Sequence, residues 1–187
     1  MHGMAKPAPC RRARWRGWSL VEMLVGVAIF GSLVLLAGPV YRDFIAKQEL
    51  LNAARALADT LNLARTEAIK HGYRVNVCKS ADGRQCSLQG SWAMGWIMHT
   101  DDDRDGEVDV VEGPIRREGA LRDGITISAN RPVAQYVSYT SLGYARMLNG
   151  ALQMGTFTVC KTGQNALDVV LANSGRVRID RTQQRCP

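Results

Sequence analysis

The sequence predicts an α+β fold, one long N-terminal helix packed on an antiparallel β-sheet head. Three observations carry that reading. A helical period of apolar residues runs from residue 18 to residue 71. At Tyr73 the period changes to two, with Tyr73, Val75 and Val77 alternating with Arg74, Asn76 and Cys78. Beyond that point, short β-prone runs are separated by Gly, Asp and Asn turns. One helix beside consecutive antiparallel strands is the α+β arrangement.

The elements divide the chain into a leader at 1–17, a helical segment at 18–72 and a globular β-rich head at 73–187. Residues 1–17 hold Lys6, Arg11, Arg12, Arg14 and Arg16 and no acid. Trp18 to Val40 is apolar with one charge, Glu22. A run of about 20 apolar residues spans a bilayer as a helix. The positive charges before it would keep the N-terminus cytoplasmic, with the head outside the inner membrane. The expected transmembrane part is therefore 18–40. An ordinary secretory signal places its small cleavage residue after the apolar stretch. Here the small residue, Gly17, precedes it, so a cut there would remove the charges and keep the anchor.

Past the anchor, Phe44, Leu51, Ala54, Leu57, Ala58, Leu61, Ala64 and Ala68 form one apolar stripe. Arg55, Asp59, Asn62 and Glu67 take the other faces. Gly72 stops the helix, and Pro39 is expected to kink it. After the strand at Tyr73, further strands are expected at 94–100, 108–117, 124–128, 135–140, 155–160, 167–172 and 175–180.

The net charge of +7 is a property of the leader. Without residues 1–17, 19 basic residues face 17 acidic ones, so the global charge gives no argument for nucleic acid. Cys10 lies in the leader, and Cys78, Cys86, Cys160 and Cys186 lie in the head. An even count in an exported domain predicts two disulfides. Local proximity favours Cys78–Cys86 and Cys160–Cys186 over the other pairings and over four buried thiols.

Arg16 to Glu22, at the head of an apolar helix, resembles the processing site of type IV prepilins. The resemblance implies cleavage between Gly17 and Trp18 by prepilin peptidase, then N-methylation. Trp18 stands where Phe is usual. Glu22, fifth in the mature chain, would pair with the free terminal amine of a neighbouring subunit, consistent with the functional bias of intramembrane charges. Pro39 falls where pilin helices carry a helix-breaking proline. The strings LARTEAIKHG (63–72), VNVC, GWIMHTDDDRDGEVD, GTFTVCK and NSGRVR look like the GspH/FimT family of minor pilins and pseudopilins. That implies a type IV pilin-like fold. Implied partners are other major and minor pilins, prepilin peptidase and the inner membrane. The implied location is a single-pass inner-membrane protein with a periplasmic head, then a pilus at the cell surface.

Within that resemblance, Gly175-Arg176-Val177-Arg178 matches the GRxR motif associated with DNA binding in FimT-type competence pilins. Residues 160–187 hold Lys161, Arg176, Arg178, Arg181 and Arg185 against Asp168 and Asp180. On a strand, Arg176 and Arg178 point to one face and Val177 to the other. Two forked guanidiniums suit successive phosphates of double-stranded DNA. Gly175 is expected to leave its N–H accessible in the turn. The plainer reading is an edge strand blunted by charge.

Asp101, Asp103 and Asp105 before Gly106, with Asp109 and Glu112, have the spacing of a calcium loop. Strands rather than helices flank them, which favours an acidic β-turn, so no cofactor is expected and calcium is the alternative. His71 and His99 have no metal-ligand or triad partners in sequence and read as structural. Trp92 and Trp96 read as core or turn residues rather than a base-stacking platform. With no catalytic constellation, two functions remain. One is a minor pilin that binds extracellular DNA for uptake in natural transformation. The other is a structural minor pilin or type II secretion pseudopilin H that initiates or caps a filament. The arginine-rich end discriminates between them.

Overall fold

The structure, a computed structural model, describes residues 17–108 and 113–187, with residues 33–40 described by backbone alone. The chain divides into two compact units, 1–42 and 43–187. Helix α1 runs Leu20–His71. The second unit takes in the later turns of α1 together with all the strands.

In the first unit Ser19 caps α1, its Oγ accepting the Glu22 N–H at 3.2 Å. Ser19 and Glu22 have capping-box spacing, which accounts locally for where the helix starts. Apolar side chains from Trp18 to Phe30 are more than half exposed on every face. Among the described residues no helix is long and apolar enough to cross a membrane. The expected anchor at 18–40 continues into residues 33–40, whose side chains lie outside the described ones. The kink expected at Pro39 falls there too, and leader residues 1–16 are likewise outside the described residues.

In the second unit α1 buries Leu50, Ala53, Ala54, Leu57, Ala58, Leu61, Ala64 and Ala68. The many alanines let strands approach the helix closely. Phe44 and Leu51 depart from the expected stripe: Phe44 is exposed and Leu51 half-buried. At about 100° per residue, both fall well off a stripe centred on Leu50, Leu57 and Leu61. Gly72, with φ +77°, ends the helix, its N–H on the Ala68 carbonyl at 3.0 Å.

The strands form two sheets rather than one. The first holds β1 (Val75–Lys79), β2 (Trp96–Thr100), β3 (Arg116–Glu118) and β5 (Tyr136–Tyr139) in the order β3-β2-β1-β5. The second holds β4 (Ile125–Ala129), β6 (Gly155–Lys161), β7 (Asn165–Leu171) and β8 (Val177–Arg185) in the order β4-β6-β7-β8. Every pairing is antiparallel. The split arises because β5 returns to β1, whereas β4 pairs with the hairpin strand β6.

Several strand boundaries move. The strand expected at 94–100 starts at Trp96, because Trp92–Met94 is a 3₁₀ turn closed by Gly95 at φ +111°. Of the strand expected at 108–117, the described part forms only β3, and residues 109–112 lie outside the described residues. The last strand is longer than 175–180 and reaches Arg185. Trp92 and Trp96 are buried, and Trp92 meets Phe157 edge-on at 5.1 Å, so both tryptophans are core residues. The core cluster runs from Leu50 to Leu171, with Val177 and Ile179 packed against it.

Candidate nucleic-acid interface

Strands β7 and β8 pair from Leu171–Val177 down to Asn165–Arg185, with β8 at the sheet edge. The turn between them closes through the Ala172 N–H on the Arg176 carbonyl and the Gly175 N–H on the Ala172 carbonyl, both 2.9 Å. The Gly175 N–H is therefore used inside the turn, and Gly175 is buried, contrary to the accessible donor expected from sequence. The glycine is needed for another reason. Its φ is +82°, and a Cβ there would overlap the carbonyl oxygen of Gly143.

Arg176 and Arg178 are exposed, while Val177 and Ile179 turn to the core. The turn thus brings the two guanidinium-bearing residues to one outer face, as the strand period requires. Arg178 Nε donates to Asp180 Oδ2 at 2.8 Å, with both side chains about half exposed. An exposed pair of this kind is worth little, and a phosphate can displace the carboxylate. Arg176 is exposed and makes no side-chain hydrogen bond or ion pair among the described residues.

The other predicted basic residues do not join this face. Arg181 pairs across from Leu167, in phase with Val177 and Ile179, and so lies on the opposite face from Arg178. With Arg185 it lines a groove shared with Asp43, Lys47, Leu50 and Gln164. At about 3.3 Å per residue, Arg185 lies roughly 20 Å along the strand from Arg178. Lys161 is spent on α1. Its Nζ reaches Glu49 Oε2 at 2.5 Å, with both side chains only 18% exposed, and Glu49 also takes Arg122 at 3.1 Å. The bond from Lys161 holds the Glu49 carboxyl below its usual range.

Two disulfides brace the head. Cys78 pairs with Cys86 and Cys160 with Cys186, each with Cα atoms 5.5 Å apart. The second ties the end of β8 to β6, and the Cys186 N–H bonds the Gln164 carbonyl at 2.9 Å.

Sequence reasoning did not single out Arg65. It projects from α1 to the same turn, its Nε 3.1 Å from where a Cβ on Gly175 would stand. Nearby, Tyr144 is exposed with the Arg146 guanidinium 5.6 Å over its ring. Ala145 joins this segment to the turn through its N–H on the Asn173 carbonyl. Only the fold brings Arg65 beside Gly175, so no local pattern could have signalled it.

The acidic turn gathers Asp101, Asp103 and Asp105 with carboxylate oxygens within 4.8 Å of one another. Asp101 is buried and accepts the Gly106 N–H at 3.0 Å and Asn76 Nδ2 at 2.7 Å. Asp105 accepts the Glu107 N–H at 2.6 Å. Asp109 and Glu112 lie outside the described residues. His71 pairs with Glu67 at 3.1 Å and stacks on Tyr73. His99 is buried, its Nδ1–H donating to the Thr100 carbonyl at 2.6 Å. At the other end of the chain, Gly17 and Trp18 are exposed and non-helical, just ahead of the Ser19 cap, and Glu22 is exposed in the first turn.

The family described as Type II transport protein GspH matches residues 53–175, ending one residue before Arg176. Type IV major fimbrial protein FimA of Dichelobacter nodosus is 28% identical over 86 residues. That stretch is 46% of this chain and 45% of FimA, so the match spans less than half of that relative's length. Among solved structures, the type IV minor pilin FimU of Pseudomonas aeruginosa superposes with a TM-score of 0.58 at 19% identity. It covers 75% of this chain and 98% of the FimU chain, a likeness of fold. These relatives are structural components of pili, not enzymes, in line with the non-enzymatic role expected from sequence.

Proposed function

The chain belongs to the GspH family, and from that premise we propose that it is a membrane-anchored minor pilin of FimT type whose head binds double-stranded DNA without sequence preference for uptake in natural transformation. One observation carries the DNA reading. Arg176 and Arg178 stand exposed on the outer face of an edge strand, on a turn fixed by packing rather than by their own contacts. Neither is bound to the protein by anything stronger than an exposed ion pair. The rigid turn fixes the backbone from which both guanidiniums reach, and phosphate contacts read no sequence.

The anchor reading rests on the first unit. Apolar side chains exposed all round a helix need a cover, which lipid or packed neighbouring helices would supply. Cleavage at Gly17–Trp18 would place a free amine one residue from the helix cap and four residues from Glu22. In an assembled filament the same helix would pack against other pilins, with Glu22 meeting a neighbour's terminal amine. Prepilin peptidase and the inner membrane are the partners of the stage before assembly.

The experiment is fluorescence anisotropy of a short labelled duplex with residues 43–187. That unit holds the core cluster and both disulfides, the parts that an independently folding head requires. With about two to four phosphate contacts, binding should be micromolar or weaker at physiological salt and should tighten steeply as salt is lowered. A head that shows no salt-sensitive binding would leave the structural filament role as the account of this chain.

A further inference from the structure

We propose that the groove between the 43–51 turns of α1 and strands β7 and β8 binds one anionic phospholipid, held by Arg181 and Arg185 while the chain is anchored in the inner membrane. The inference rests on the anchor reading above and deepens it. It does not depend on the DNA reading.

The register of β8 brings its two arginines together. Arg181 pairs with Leu167, but Arg185 pairs with Asn165, across an irregularity in the ladder. Four residues of β8 therefore span two of β7. The bulge draws the two arginine Cα atoms to roughly 7 Å apart along the sheet, about half the distance of a regular strand. Both side chains are exposed and line the groove. Neither makes an ion pair or a side-chain hydrogen bond among the described residues. Two guanidiniums rooted this close can share one phosphate. The acid on the opposite wall is already occupied. Asp43 accepts Lys47 Nζ and Gln164 Nε2, both at 2.6 Å, and the bond from Lys47 holds its carboxyl below the usual range. The groove is left with two uncompensated positive charges.

The floor specifies the rest of the ligand. Leu50, Leu51 and Leu167 line a groove of about 680 Å³, far more room than a phosphate needs. Phe44 stands on the helical face of Gln48 and Leu51, at spacings of four and seven, and is exposed. The two residues that the core leaves aside, Phe44 and Leu51, thus fall on the groove side of α1. A cationic rim above an apolar floor fits an amphiphile with a phosphate headgroup. A free phosphate or a duplex backbone would use the rim alone. The place in the chain supplies the source. Asp43 follows Val40, the end of the expected anchor, by three residues on one helix, roughly 5 Å of rise. The α1 wall of the groove therefore begins at the depth of the lipid headgroups, where juxtamembrane arginines take anionic lipid.

The test is native mass spectrometry of the full chain, extracted from membranes into detergent and mixed with equal amounts of phosphatidylglycerol and phosphatidylcholine. Wild type should retain one phosphatidylglycerol in preference to phosphatidylcholine. Arg181→Gln with Arg185→Gln should weaken that retention by about tenfold to thirtyfold. Its melt should match wild type, because neither arginine has an internal partner. Should it melt early, Arg185→Gln alone, at the exposed end of β8, should still cost about threefold to fivefold. Arg176→Gln with Arg178→Gln should retain the lipid like wild type. Equal retention of the two lipids, or a double variant at 181 and 185 that keeps phosphatidylglycerol like wild type, overturns the proposal. Displacement of the lipid by an equal concentration of glycerol 3-phosphate would make the groove a free-phosphate site instead. Duplex binding that falls with Arg181 and Arg185 but not with Arg176 and Arg178 would reassign it to nucleic acid. A chain absent from the membrane fraction removes the anchor reading and this proposal with it. A membrane-bound chain without lipid preference removes this proposal alone.

Discussion

Gly175 packs so closely on the carbonyl of Gly143 that no side chain fits between the two turns, and this contact sets the position of Arg176 and Arg178. Gly163, in the β6–β7 turn, has a similar φ of +80° with open space around it. The pair separates backbone strain from packing. Gly163→Ala should cost about 1 kcal/mol, from the positive φ alone. Gly175→Ala adds a clash with backbone and should cost about 2–4 kcal/mol, lowering Tm by roughly 5–15 °C. Thermal melts of the two variants check this, and equal losses would contradict the packing role.

The ion pairs of Glu49 predict acid sensitivity. Its carboxyl is held below the ordinary 4.5, chiefly by the hydrogen bond from Lys161. The stabilisation is complete above the unfolded value and is lost as pH falls through the lower folded one. Wild type should therefore lose stability more steeply than Glu49→Gln below about pH 4.5. Urea melts from about pH 6 to pH 3 measure both slopes. Parallel curves would mean that Glu49 does not tie α1 to β6.

The Cys160–Cys186 bridge closes a loop with a sequence separation of 26. On the chain-entropy estimate that contributes about 3–4 kcal/mol. Cys160→Ser with Cys186→Ser should lower Tm by about 10 °C. Duplex binding measured well below that transition should persist, because the turn carrying Arg176 lies at the far end of β8. If binding vanished with the bridge while the fold held, the site would lie at Arg181 and Arg185 instead.

Processing is tested by mass spectrometry of the membrane fraction. The mature chain should begin at an N-methylated Trp18. Glu22→Ala should still reach the membrane, since it makes the segment more apolar, and should be depleted from sheared filaments. A mature chain beginning elsewhere would remove the pilin reading.

Element type was legible wherever burial on one face dictated the period. The helix, its stop at Gly72 and the alternating strands follow from the order of apolar residues. The stripe at Phe44 and Leu51 was not, because several apolar residues compete near that turn and only packing selects Leu50 and Ala53. The division into two sheets was equally hidden, since it depends on which strand β4 pairs with. In the candidate site, the shared outer face of Arg176 and Arg178 was legible from the strand period. Lys161 was not, because its partner Glu49 lies 112 residues away in the chain. Arg181 looked like a neighbour of Arg178 but is separated by the pleat.

The salt dependence of duplex binding by the head tests the central claim most directly. Wild type should bind with a slope of about −2 to −4 in log K against log salt. Arg176→Gln with Arg178→Gln removes two exposed charges without removing a core contact, so its melt should match wild type within about 2 °C. Its slope should flatten by about two units and its affinity should collapse at physiological salt. A double variant that melts like wild type and binds duplex with the same affinity and slope would contradict the account.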